Sequence, residues 1–366
     1  MARADGKVEI PFTRLGLLVM LIALGSLVVL AQSPAGVGAV VAADGSGQYR
    51  SVQEAINAAP QDTSPERRWV IYVKPGVYHE LIYVQREKHF VILVGDDPLK
   101  TVITYGLKAG DIGPDGKPIG TFRTPTAYID ADDFSAENLT FENSAGPNGQ
   151  ALALRVDGDR VVFRNCRFLG WQDTIFLDRG RQYFEDSLIA GHVDFILGGA
   201  TAWFERCRLH ALGNGYLAAA STPQDAPYGF VFAHGSITGE PDVKVYLGRP
   251  WRAYARVSFL ETDMSDAVRP EGWHNWDHPD REQTARYEEF GTTGSGARAA
   301  RRVRWAHGLS AADAAKITVD SVLAGPDRWD PRRVPAHPSS VRALDAPIRS
   351  PASGLRSAAS DLRPPI

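Results

Sequence analysis

Cysteine is scarce. The 366 residues include two, Cys166 and Cys207, and no Cys-x-x-Cys. That argues against both a disulfide framework and a structural zinc site. Positive charge is not in excess: 40 Lys and Arg stand against 43 Asp and Glu, a formal net charge of -3. A nucleic-acid binder would show a basic footprint. Gly-x-Ser-x-Gly, His-Glu-x-x-His and a calcium-loop pattern are also missing, so the chemistries those motifs carry have no carrier here. The composition, 44% hydrophobic and 23% charged, is otherwise that of a globular chain with enough apolar residues for one large core or two medium ones.

The ends differ from the middle. The mixed-charge start MARADGKVEIPFTR precedes an uncharged run, Leu15 to Ala31. The run is somewhat long for a signal-peptide core and somewhat short for a comfortable membrane span. It has no polar face, so a buried core helix is a poor reading of it. Residues 1–38 are therefore expected to be a signal peptide or N-terminal membrane anchor plus linker, with the cleaved signal favoured. Either way the remainder leaves the cytoplasm, to be secreted or held in the periplasm or cell envelope. Residues 332–366 are rich in Pro, Arg, Ser and Ala and poor in large apolar residues, which predicts a disordered tail.

Between the ends, residues 39–331 read as β. Runs such as RWVIYVKPG, HFVILVGDD and VKVYLGRPW are β-branched or aromatic and close on Gly, Pro or Asp. One short helix is expected in SVQEAINAAP. It places Val52, Ala55, Ile56 and Ala59 on one face, with Ser51 as cap, Glu54 completing a capping box and Pro60 as stop. The strands repeat: FRNCRF (163–168), FEDSLI (184–189) and FERCRL (204–209) each begin with Phe and end in an apolar residue. Looser copies are AENLTF (136–141) and FAHGSI (232–237). Phe163 to Phe184 is 21 residues and Phe184 to Phe204 is 20. That period with β composition predicts a single-domain all-β solenoid, a parallel β-helix. Cys166, Ser187 and Cys207 are then equivalent in three successive turns. Two turns at ~4.8 Å each put the cysteines roughly 9.6 Å apart, beyond the ~7 Å reach of a disulfide. Both are expected to be free.

The same period gathers polar residues. Asp173 to Asp194 is 21 residues and Gln150 to Gln172 is 22, so three turns bring Gln150, Gln172, Asp173 and Asp194 to one face. Two aspartates one turn apart repel, and one tends to keep a proton unless a cation intervenes. Split carboxyls supply a base or nucleophile beside an acid. Glutamine amides supply N–H donors for an oxyanion. A polar ladder capping solvent-facing turns would give the same spacing. Arg249 and Trp251, in YLGRPWRAYAR, add a fork suited to a carboxylate and a ring suited to stacking on a sugar.

GQALALRV, GWQDTIFL, GHVDFILGGA and LGRPW, in this order and spacing, resemble the signature blocks of the pectin methylesterases, or pectinesterases. VAADGSGQYRSVQEAINAAP, VIYVKPGVYHE, RPEGWHNW and RYEEFGTTGSGA extend the likeness over roughly residues 40 to 331. The resemblance implies a right-handed parallel β-helix that demethylates pectin to methanol and pectate. It makes Asp194 the nucleophile and Asp173 the general acid, then base. It gives Gln150 and Gln172 the oxyanion and makes Arg249 the group that holds Asp194 ionised. Trp251, Trp171 and Phe176 would line the cleft, and Thr126, in TFRTPTAYI, would contact substrate. The implied partner is methyl-esterified polygalacturonate, with no metal or other cofactor, acting as a monomer. Leu197 stands where the family usually has Phe, Trp171 where Tyr is usual, and Ala218 where Thr is common. The rival readings are an esterase or thioesterase of the same fold on another ester, a silent polysaccharide-binding β-helix, and a calcium-dependent polyuronate lyase.

Overall fold

The computed structural model describes residues 1–2 and 37–345. The apolar run 15–31 and residues 346–366 lie outside the described residues. Among the described residues no helix is long and apolar enough to cross a membrane. The chain divides into residues 1–32 and 33–366, and the architecture belongs to the second unit.

That unit is a parallel β-helix. An 11-stranded sheet, from Ala39–Val41 to His307–Gly308, forms the first face. A 13-stranded sheet folds through a corner into the second and third faces. Strands such as Leu188–Gly198 and Arg208–Ala220 run continuously through that corner. The Phe repeat is the spine of the core. Phe163, Phe184, Phe204, Phe232 and Phe259 pair in register through successive turns. Their rings stack at 4.9, 4.7, 4.5 and 4.6 Å, the spacing of neighbouring strands. Loops absorb the longer gaps that follow Phe204 and Phe232, so the ladder survives where the sequence period does not. Phe184 is fully buried. Phe184→Ala is expected to cost about 3–5 kcal/mol, measured by chemical unfolding. A loss under about 1 kcal/mol would mean the stack is slack.

Cys166 and Cys207 are free and buried, as the ladder requires. Ser187 intervenes, its hydroxyl accepting from the Cys166 N–H at 3.1 Å. Burial pushes the Cys166 thiol up to about 12, which leaves it unreactive.

The expected helix forms over Val52–Ala58, with Ser51 accepting from the Glu54 N–H. The reciprocal partner is not Glu54. Glu80, from a later strand turn, accepts from the Ser51 hydroxyl and from the Val52 and Gln53 N–H groups. Two further short helices, Ala311–Ala314 and Val319–Leu323, were not anticipated. Ile317, Val322 and Leu323 pack on Tyr183 and Trp203, outside the first face.

Residues 332–345, read as part of a disordered tail, instead lie along the solenoid. The Asn138 and Asn165 amides donate to the His337 and Val341 carbonyls at 2.8 and 2.7 Å. Asn165 also accepts from the Ala343 N–H. Composition misleads because this segment needs little apolar surface: its backbone docks on asparagines at a corner of the coil.

Candidate active site

The corner between the second and third faces must turn sharply, and two aspartates turn it. Asp173 has φ 65 and Asp194 φ 50, the left-handed region that Asp tolerates better than most residues. Ile175 pairs with Ile196, so Asp173 and Asp194, each two residues earlier, sit in adjacent turns. The Asp173 N–H donates to the Val193 carbonyl at 3.0 Å. Gln150 bridges Gln172 in parallel. Their 22-residue offset becomes 21 by Leu154 and Ile175. The slip is taken up where the Ala153 and Leu154 N–H groups both donate to the Thr174 carbonyl. Gly191 permits the tight corner, since a Cβ there would lie 2.3 Å from the Phe195 Cβ.

Both carboxyls are inside, Asp194 at 5% exposure and Asp173 at 7%. Arg249 grips Asp194 with both prongs, Nε to Oδ1 at 2.9 Å and Nη2 to Oδ2 at 2.6 Å. Its guanidinium carbon lies 3.9 Å from the centre of the Tyr216 ring and 3.6 Å from that of Trp276. This sandwich holds the cation by π attraction while excluding water. The Arg249 N–H is anchored on the Ala218 carbonyl at 2.9 Å. Tyr216 and Trp276 escaped the sequence reading: Tyr216 lies in the next turn, paired with Val193, where the register of the strand shifts, and Trp276 belongs to no repeat copy.

Burial and then the Asp194 charge push the Asp173 carboxyl up to about 8, against a smaller pull from Arg249. Burial raises Asp194 too, but its bidentate bond to Arg249 opposes that directly. Two carboxyls this close favour sharing one proton, and the two-pronged bond to Arg249 draws the negative charge to Asp194. The side-chain amides of Gln150 and Gln172 are only partly buried and make no hydrogen bond to another described residue, so their N–H groups are available.

The third face supplies one flank. Phe176 lies 4.7 Å from Phe122 and 6.2 Å from Trp251, ring centre to ring centre. Leu197 is next to Phe176 in the outward ladder, forming a floor with Leu152 and Ala219 on which Trp251 and Trp276 pack. Ala218 faces the core. On the second face Trp171 meets the His192 ring edge-on at 5.6 Å and packs on Leu169 and Leu188. Thr126 does not reach the cleft: it is fully buried, and its hydroxyl donates to the Glu142 carbonyl at 2.8 Å. Phe122, four residues earlier, was missed. A lone Phe in a loop carries no periodic signal.

A protein-family model described as Pectinesterase matches residues 38–326. The chain belongs to the pectinesterase family. It is 41% identical over 277 residues to Pectinesterase 31 of Arabidopsis thaliana, covering 74% of this chain and 86% of that one. Among solved structures, a pectin methylesterase from carrot superposes with a TM-score of 0.75 at 34% identity, covering 81% of this chain and 95% of its own. The pectin methylesterase of Erwinia chrysanthemi gives 0.70 at 30% identity, covering 82% and 99%. A pectin methylesterase in complex with a hexasaccharide gives 0.70 at 31% identity, covering 80% and 98%. Pectinesterases are carboxylic ester hydrolases, and the parallel coil, the buried aspartates and the aromatic flank are the setting in which ester chemistry has to be placed.

Proposed function

We propose that this pectinesterase hydrolyses the methyl esters of polygalacturonate through Asp194 and Asp173. The observation that carries the reading is the arrangement: two buried aspartates in adjacent turns, Asp194 clamped by Arg249, beside the amides of Gln150 and Gln172. Asp194 attacks the ester carbonyl carbon. The oxygen that gains charge takes N–H bonds from Gln150 and Gln172. As the tetrahedral species collapses, the bond to the methoxyl oxygen breaks and Asp173 gives that oxygen its proton, so methanol leaves. Asp194 is now acylated. Asp173, ionised, removes a proton from water, which attacks the acyl carbon. The bond from the acyl carbon to the Asp194 oxygen breaks, the galacturonic acid departs and gives its proton to solvent, and Asp194 is restored as the carboxylate with Asp173 again protonated. A carboxylate is a weak nucleophile in water. Burial strips its hydration, and Arg249 fixes its aim.

Trp251, Phe176 and Trp171 flank the sugar chain in this reading. The five reacting or orienting groups all come from one chain, which supports action as a monomer. The run 15–31 supports export, by a cleaved signal or a retained anchor, to where cell-wall polysaccharide is met. The test is methanol release from methylated pectin, with Arg249→Lys in parallel. Lysine cannot form the two-pronged bond or the flat stack, so a fall of about tenfold to a hundredfold is expected, from loss of a charge-assisted bond worth about 1.5–3 kcal/mol. A wild-type enzyme that releases no methanol, or an unimpaired Arg249→Lys, would refute it.

A further inference from the structure

Past residue 326, where the family match ends, the chain lies back across the coil. The Pro331 carbonyl accepts from the Arg164 guanidinium at 2.7 Å, and the Ser339 hydroxyl donates to the Asp96 carbonyl at 2.6 Å. The Asn165 side chain holds both the Val341 carbonyl and the Ala343 N–H. Arg342 lies 3.7 Å from Asp186. Glu137, Arg164 and Glu185 pair in register. Asn138, Asn165 and Asp186, each one residue on, therefore mark the same corner in three successive turns. Residues 331–343 form a strap over that corner.

The far end of the strap reaches the wall of the cleft. Ala343 is fully buried. Leu344 passes on to the second face and packs on the cluster of Leu169, Leu188, Ala190 and Leu212. Trp171 packs on the same cluster. The strap and the second-face flank of the cleft thus share one apolar patch.

Trp171 depends on that patch. Its indole Nε1 is buried and has no hydrogen-bond partner among the described residues. The His192 ring meets it edge-on at 5.6 Å. No polar bond fixes the indole, so its position follows from what packs against it. Trp171 also directly precedes Gln172 and Asp173, so a shift of the ring is felt at the edge of the reacting corner.

We infer that Leu344 is a positioning residue for substrate binding: the strap seats it on the Leu169–Leu188–Ala190–Leu212 cluster, and the cluster holds Trp171 where it flanks the polymer. This rests on the demethylation reading above. The strap acts on how tightly the polymer is held and not on the chemistry, because Asp194 is clamped by Arg249 from a different segment.

The test is kcat and KM for methanol release from methylated pectin by the full chain, with melting temperatures in parallel. The variants are Leu344→Ala, Leu344→Met, Trp171→Ala, and Leu344→Ala combined with Trp171→Ala. Leu344→Ala should raise KM about threefold to tenfold, the usual size of coupling between residues that share a packing cluster, and leave kcat unchanged. Leu344→Met, close in volume and still apolar, should restore the wild-type KM. Trp171→Ala should raise KM by itself, and adding Leu344→Ala to it should raise KM no further. An unmoved KM in Leu344→Ala overturns the inference, whether or not the melting temperature or kcat falls, since that would be a structural role alone. So does an unmoved KM in Trp171→Ala, or a further rise in the double variant, which would place the effect elsewhere than on Trp171. A wild type that releases no methanol fails the esterase reading and this inference with it. An active wild type whose KM is indifferent to Leu344 fails the strap alone.

Discussion

Asp194→Asn is expected to lower methanol release from methylated pectin by a factor on the order of 10⁴ or more, as removal of a nucleophile does when the rest of a site acts as a unit with it. Asparagine is the informative substitution. It keeps the side-chain shape and tolerates φ 50 at this corner, whereas alanine would add backbone strain. It removes the charge alone. The amide has no anionic oxygen to attack with, so Gln150, Gln172 and Asp173 would be left without a reaction to assist. The variant also carries a stability cost. Arg249 stays packed between Tyr216 and Trp276 but faces a neutral partner, and breaking a buried pair costs about 3–5 kcal/mol. Unfolding should therefore be measured beside activity, below the variant's melting temperature. A folded Asp194→Asn enzyme that keeps more than about a hundredth of the rate would remove Asp194 from the nucleophile's role.

Asp173→Asn is expected to cost about 10²–10⁴-fold, the usual worth of a general acid–base, and to change the pH profile in a defined way. In the wild type Asp173 must hold its proton to release methanol, and burial beside Asp194 sets that proton's loss at about 8. The rate should fall as pH rises through about 8. Asp194 must be ionised, so the rate should also fall at low pH, as Asp194 takes up a proton. Asp173→Asn should lose the alkaline fall and keep the acid one. Stability follows the same proton. The folded-state pKa of Asp173 is raised above its ordinary value, so the folded state binds the proton more tightly than the unfolded chain does. That contribution is fully present below the ordinary carboxylate range and is lost as pH rises through about 8. Relative to wild type, Asp173→Asn should thus gain thermal stability between pH 5 and pH 9. An alkaline limb that survives in Asp173→Asn would assign it to another group.

How much of this could be read before the structure depends on which direction of the coil is asked about. Phe163, Phe184 and Phe204 announced the axial register, and with it the neighbours Asp173–Asp194 and Gln150–Gln172 and the separation of the cysteines. The resemblance to pectinesterases added roles for those residues, and the family match accords with it. The reading failed where chain folds across the coil. Thr126 sits in a block that looks substrate-facing, yet its hydroxyl is spent on Glu142. Glu80 caps a helix 28 residues away from Val52. Residues 332–345 dock on Asn138 and Asn165 despite a composition that reads as disorder. Phe122, Tyr216 and Trp276 reach the site from segments of unequal length.

The sequence by itself determined the coil, its turn-to-turn register and the stacking of the polar set, because in a solenoid each turn lies on the next and one period specifies every axial neighbour. Only the tertiary structure decided which aspartate is gripped, which keeps its proton and what walls the cleft. Those depend on burial and on ring-to-cation distances of a few ångströms among segments that do not keep one period, and no spacing along the chain encodes them.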